Sequence, residues 1–118
     1  MKHLQFSADE LSGDTNAPVI FAYKIYKPDR FHYIKIGYTE KNPQVVIFME
    51  SEWARLTPEI ILIDSAIKKD GSILTEMEFH NYLRNKGYKE LQSGIDCLGW
   101  FCCEPNEVIE SYRYLIEN

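Results

Sequence analysis

Two groups of residues have the types and spacing to do chemistry. In Phe31-His32-Tyr33-Ile34-Lys35-Ile36-Gly37-Tyr38-Thr39, period-two alternation puts Tyr33, Lys35, Gly37 and Thr39 on one face of a strand and His32, Ile34, Ile36 and Tyr38 on the other. The first face sets a cation between an aromatic and a hydroxyl, beside a glycine that lets a ligand approach the backbone, and such a surface can meet a phosphate. The same pattern also describes a half-buried strand with a snorkelling lysine. The second group is Glu76 and His80, one helical turn apart on the flank of a stripe defined by Phe79 and Leu83, so that a carboxylate and an imidazole stand side by side at the edge of the core. The competing reading is a packing histidine and a first-turn acid favoured by the helix dipole.

These side chains need elements to hold them. Val19 to Tyr26 has the apolar pattern of an inner strand covered on both faces, and Lys27-Pro28-Asp29-Arg30 is the turn that joins it to the Phe31–Thr39 strand. Asn42-Pro43 starts a helix, with asparagine as cap and proline at the first position. The β-branched run Val45-Val46-Ile47 argues for a strand there, but the cap and the following Glu50, Ser51 and Glu52 favour helix. Glu59 to Asp64 reads as a short, fully buried strand, and Lys68-Lys69-Asp70-Gly71 as a turn.

Thr75-Glu76-Met77-Glu78 is a capping box, in which the threonine hydroxyl accepts from the Glu78 amide and the Glu78 carboxylate reaches back to Thr75. The helix it opens should run to about Lys86, stopped by Gly87. Gly99 to Cys103 is a short strand, and Pro105 opens a last helix whose Val108, Ile109, Tyr112, Leu115 and Ile116 follow the helical period. The alternation predicts an α/β (α+β) fold, a largely antiparallel sheet of three to four strands flanked by about three helices. Residues 1–18 read as a polar leader and 19–118 as one domain.

Length and composition bound the function. At 118 residues, 45% apolar and 26% charged, the chain has the makings of one ordinary globular domain. No apolar run approaches the roughly 18 residues that span a bilayer, and the N-terminus lacks the apolar centre of a secretory signal, so the expected address is the cytoplasm with no membrane partner. Cys97, Cys102 and Cys103 match no zinc spacing and read as structural thiols. A net charge of −5 opposes nucleic-acid binding by the overall field. The charge is uneven, however: Lys24, Lys27, Arg30, Lys35 and Lys41 face only Asp29 and Glu40, whereas Glu104, Glu107, Glu110 and Glu117 oppose only Arg113 in the last segment. A basic hairpin over 24–41 can touch DNA or RNA, or dock an acidic protein.

Taken together, several segments resemble the GIY-YIG nuclease superfamily, in particular its divergent branch found alone or fused to bacterial helicases. The resemblance runs from about Val19 to Ile116. It rests on Ala22-Tyr23, on Tyr33 to Thr39, on Asp70-Gly71-Ser72 followed by Leu74-Thr75-Glu76-Met77-Glu78-Phe79-His80, and on Trp100-Phe101. It implies a metal-dependent endonuclease in which Tyr23 helps activate water, Lys35 supports it, Glu76 binds one Mg²⁺ or Mn²⁺ and His80 is a supporting group. Phosphodiester cleavage needs such a set: a nucleophile, a cation at the developing charge and a hard metal held by oxygen.

Two departures weigh against activity. Where the family carries a helical arginine, this chain has Val45, Val46 and Ile47, and the nearest substitute is Arg55. Losing a cation aimed at the phosphate removes about 3 kcal/mol of transition-state stabilisation, a hundredfold or more in rate. The family's acid before Trp-Phe is replaced by Gly99. Two readings follow: a nuclease with a weakened site, or a nuclease-like pseudoenzyme that binds a protein, as a phage or mobile-element inhibitor or a regulatory subunit would.

Overall fold

The alternation read in the central hairpin is what the sheet is built on. The structure, a computed structural model, describes residues 14–53, 57–91 and 99–118. Strands β1 (Asp14–Lys24), β2 (Tyr33–Lys41), β3 (Glu59–Ser65) and β4 (Trp100–Cys102) form one sheet in the order β3-β1-β2-β4, with every neighbouring pair antiparallel. Helices α1 (Pro43–Trp53), α2 (Glu76–Asn85) and α3 (Pro105–Glu117) complete an α+β fold.

Both faces of the sheet are covered. Ile20, Ala22, Ile34, Ile36 and Phe101 pack under Phe79 and Leu83 of α2 and Val108, Tyr112 and Leu115 of α3. On the opposite face Phe21, Tyr23, Ile25 and Trp100 pack under Ile47 of α1, with Val46 against them. The odd and even positions of β1 therefore serve different cores, as expected of an inner strand.

Local signals explain the helix starts. The Asn42 side-chain oxygen accepts from the Gln44 amide at 2.9 Å, and this cap prevails over the β-branched run that follows because Ile47 has a core to fill. The Thr75 hydroxyl accepts from the Glu78 amide at 3.1 Å. Only this half of the expected capping box forms, since the Glu78 carboxylate is taken by the Lys68 ammonium. Pro105 opens α3, where the Glu107 carboxylate accepts from the Glu104 amide at 2.7 Å.

Three expectations are corrected. β1 begins at Asp14, so residues 14–18 belong to the sheet, while 1–13 lie outside the described residues. β2 begins at Tyr33, because turn bonds from the Arg30 amide to the Lys27 carbonyl and from the Tyr33 amide to the Arg30 carbonyl take up Phe31 and His32. β3 is an edge strand and is not fully buried: Ile61, Leu62 and Ile63 are half-covered and Ile60 remains 45% exposed.

Candidate functional site

Register decides what Tyr23 and Lys35 can do together. Tyr23 is directly opposite Lys35 on β2, and Lys35 is directly opposite Trp100 on β4. Directly opposed residues share a face. A shift in the β1–β3 pairing between Ala22 and Tyr23 makes Ile60 the partner of Tyr23. The result is a row across all four strands, Ile60-Tyr23-Lys35-Trp100, on the face covered by α1. The chain turns back at Asn42-Pro43, so the C-terminal half of α1 passes over this row.

At the row, the Tyr23 ring is 2% exposed and meets Trp100 edge-on at 5.6 Å. Its hydroxyl donates to Glu50 Oε1 on α1 at 2.7 Å. Arg30, from the hairpin turn, lays its guanidinium over the Trp100 ring at 5.0 Å. Glu50 and Arg30 are therefore the charged groups that α1 and the turn bring to the Tyr23–Trp100 pair. Neither was singled out for the site from the sequence. Glu50 is 27 residues from Tyr23 in the chain, and only the path of α1 across the sheet joins them.

The helical position where the resemblance expects an arginine is filled differently. Val46 packs against the aromatic core beneath α1, and Glu50, one turn later, faces Tyr23. The group of α1 that faces the Tyr23 hydroxyl is a carboxylate, not the cation the resemblance implies. Arg55, the expected substitute, lies outside the described residues, as does Cys97.

The glycines prove structural. A Cβ at Gly37 would fall 2.3 Å from Phe21 Cζ, because the Phe21 ring lies over this glycine from the neighbouring strand. The space expected to admit a phosphate to the β2 backbone is thus filled by a core aromatic. Gly99 has φ +84°, and a Cβ there would lie 2.9 Å from the Ile36 carbonyl oxygen and 3.1 Å from His80 Cε1. No acid can replace Gly99 without displacing β2 or His80.

His80 is 7% exposed, and its Nε2 lies 2.9 Å from the Ile36 carbonyl oxygen. A carbonyl only accepts, so Nε2 carries the proton. This bond continues the pairing just before β4 begins, next to the bond from the Ile36 amide to the Gly99 carbonyl. Glu76 is exposed at the start of the same helix. The expected carboxylate–imidazole pair is therefore split: one partner faces solvent, the other is committed to the β2 backbone.

Of the four expected site residues, the structure brings Tyr23 and Lys35 together. Glu76 and His80 sit on α2, which packs on the opposite face of the sheet. Magnesium bound to Glu76 alone would take its remaining ligands from water and phosphate. Among the described residues no group of three or more His, Cys, Asp or Glu side chains could hold a metal ion. These donors do not fit a metal shared between Glu76 and the Tyr23 row.

The remaining candidates read as framework. Cys102 and Cys103 are free thiols, and burial, helped by Glu107, pushes the Cys103 thiol up to about 12, which keeps it protonated and unreactive. Among the described residues no helix is long and apolar enough to cross a membrane. Compared with protein-family models, curated proteins and solved structures, the chain matches none.

Proposed function

We propose that the chain is a nuclease-like domain, related to metal-dependent endonucleases of the GIY-YIG type, whose phosphodiester-cleaving site is degenerate and which acts by binding a partner. The observation that carries this reading is the Tyr23–Glu50 hydrogen bond of 2.7 Å. In place of a cation facing the tyrosine hydroxyl, α1 supplies a carboxylate. That charge repels an incoming phosphate and gives nothing to the negative charge that grows during cleavage. The filled space over Gly37 and the position of Glu76 on a helix of the other face support the same reading.

Between the two partner classes open to the basic hairpin, the same carboxylate favours an acidic protein over DNA or RNA. A nucleic acid strand repeats a negative charge about every 3.4 Å and must pass every local acid, whereas a protein needs to place only one carboxylate well. The test is cleavage of labelled DNA and RNA, single- and double-stranded, with Mg²⁺ or Mn²⁺. The wild-type chain should show no rate above the metal-containing buffer.

A further inference from the structure

Arg30 is held in an unusual state for a surface-turn arginine. Its side chain is only 12% exposed, and its guanidinium carbon lies over the Trp100 ring, 5.0 Å from the centroid. Nε is buried without a hydrogen bond, since Asp29 Oδ2 at 3.8 Å is beyond hydrogen-bond reach. Packing against Trp100 has already removed much of the side chain's rotamer freedom, and Nε remains unsatisfied. Ordering without satisfaction is what an anchor for a planar, bidentate acceptor requires.

We propose that Arg30, stacked on Trp100, is the docking point for an acidic segment of a protein partner, with one carboxylate of that segment seated across the guanidinium. This rests on the reading that the domain binds rather than cuts, and it adds the site and the chemistry of the partner. Arginine is enriched at interface hot spots, and here the buried Trp100 ring backs it from the core side. Apolar contact is at hand on the same hairpin end, where the half-exposed rings of Tyr26 and Phe31 meet at 5.9 Å. Lys27 lies 3.9 Å from Asp29, so the turn keeps its positive excess while Asp29 is shared between two cations. Glu50, bonded to Tyr23, and Asp29, beside Arg30, oppose a continuous phosphate chain more than a single, well-placed carboxylate.

The test uses the full chain, a peptide of alternating glutamate and leucine, and an oligothymidylate of equal charge, followed by the side-chain N–H resonances of Arg30 and Trp100. The peptide should shift both signals saturably, the shift should weaken with added salt, and the oligothymidylate should leave them in place. Arg30→Lys, which keeps the charge and loses the planar fork, should weaken peptide binding by at least about tenfold while the chain stays folded. The wild-type shifts carry the test even if that variant folds poorly. No shift with the peptide, peptide binding indifferent to Arg30→Lys, or equal shifts with the oligothymidylate would each overturn the proposal. Metal-dependent cleavage in the separate nuclease assay would instead overturn the functional reading and leave the peptide result standing.

Discussion

The hydroxyl of Tyr23 and the carboxylate of Glu50 are 2.7 Å apart, and through this bond the C-terminal half of α1 is fastened to the centre of the sheet. A residue at Val46 packs into the aromatic core, while Glu50, one turn later, is exposed. Arginine should therefore be tolerated at one position and not at the other. Urea unfolding of Val46→Arg should show a loss of about 1–3 kcal/mol from overpacking and charge burial. Glu50→Arg should lose only the hydrogen bond, about 1–2 kcal/mol, and stay folded. Equal stability of Val46→Arg and wild type would show that α1 does not lie where described.

Phe21 over Gly37 makes a second, sharper prediction. Gly37→Ala puts a methyl 2.3 Å from the Phe21 ring and should cost about 1–3 kcal/mol. In the double variant Gly37→Ala, Phe21→Leu the smaller side chain yields, so its loss should be less than the sum of the two single losses, measured as a double-mutant cycle. Strict additivity would mean that the ring does not cover the glycine.

His80 is expected to matter for stability through one atom. His80→Phe keeps an aromatic ring but removes the donor to the Ile36 carbonyl, leaving that acceptor unpaired at a cost of about 1–3 kcal/mol. Hydrogen exchange should quicken at the amides of β4 and the adjoining part of β2. A variant as stable as wild type, with unchanged exchange, would contradict a structural role for the imidazole.

Acid sensitivity should trace in part to Glu90, which accepts from Arg84 Nε at 2.8 Å, Arg84 Nη2 at 3.1 Å and the Gly99 amide at 3.2 Å. The Arg84 hydrogen bonds, opposed by burial and joined by the Gly99 amide, hold its carboxyl below the ordinary value of 4.5. A carboxyl depressed in the folded state stabilises fully above its unfolded pKa, and that stability is lost as pH falls through the lower folded value. Solvent at the half-exposed Arg84 limits the effect to about 1 kcal/mol or less. Unfolding free energies measured from about pH 6 to pH 3 should fall more steeply for wild type than for Glu90→Gln. Parallel slopes would remove Glu90 from the account.

Local chemistry made most of the fold legible in the sequence. Asn42-Pro43 and Thr75 mark helix starts by caps that need only neighbouring residues, and the alternation through Tyr33 to Thr39 already placed Lys35 opposite the Ile34 and Ile36 core. With Tyr23 on the adjoining strand, that left one shared face to be confirmed by register. Partnerships across long stretches of chain were not legible. Gly37 looked like room for a ligand because nothing local shows that Phe21 fills it. His80 looked like half of an acid–base pair because its turn toward Ile36 depends on the small Gly99 far along the chain. Glu50 counted only as a residue favouring helix after Asn42-Pro43, and β3 looked buried because its four apolar residues give no sign that it ends the sheet.

The central claim, that the carboxylate facing Tyr23 has replaced catalysis with binding, is tested most directly by single-turnover cleavage of end-labelled DNA and RNA with excess protein and Mg²⁺ or Mn²⁺. The expected result is no product above the protein-free control, for wild type and for Tyr23→Phe alike. Metal-dependent product formed by wild type and lost in Tyr23→Phe would contradict it, and would make Tyr23 a working member of an active nuclease site.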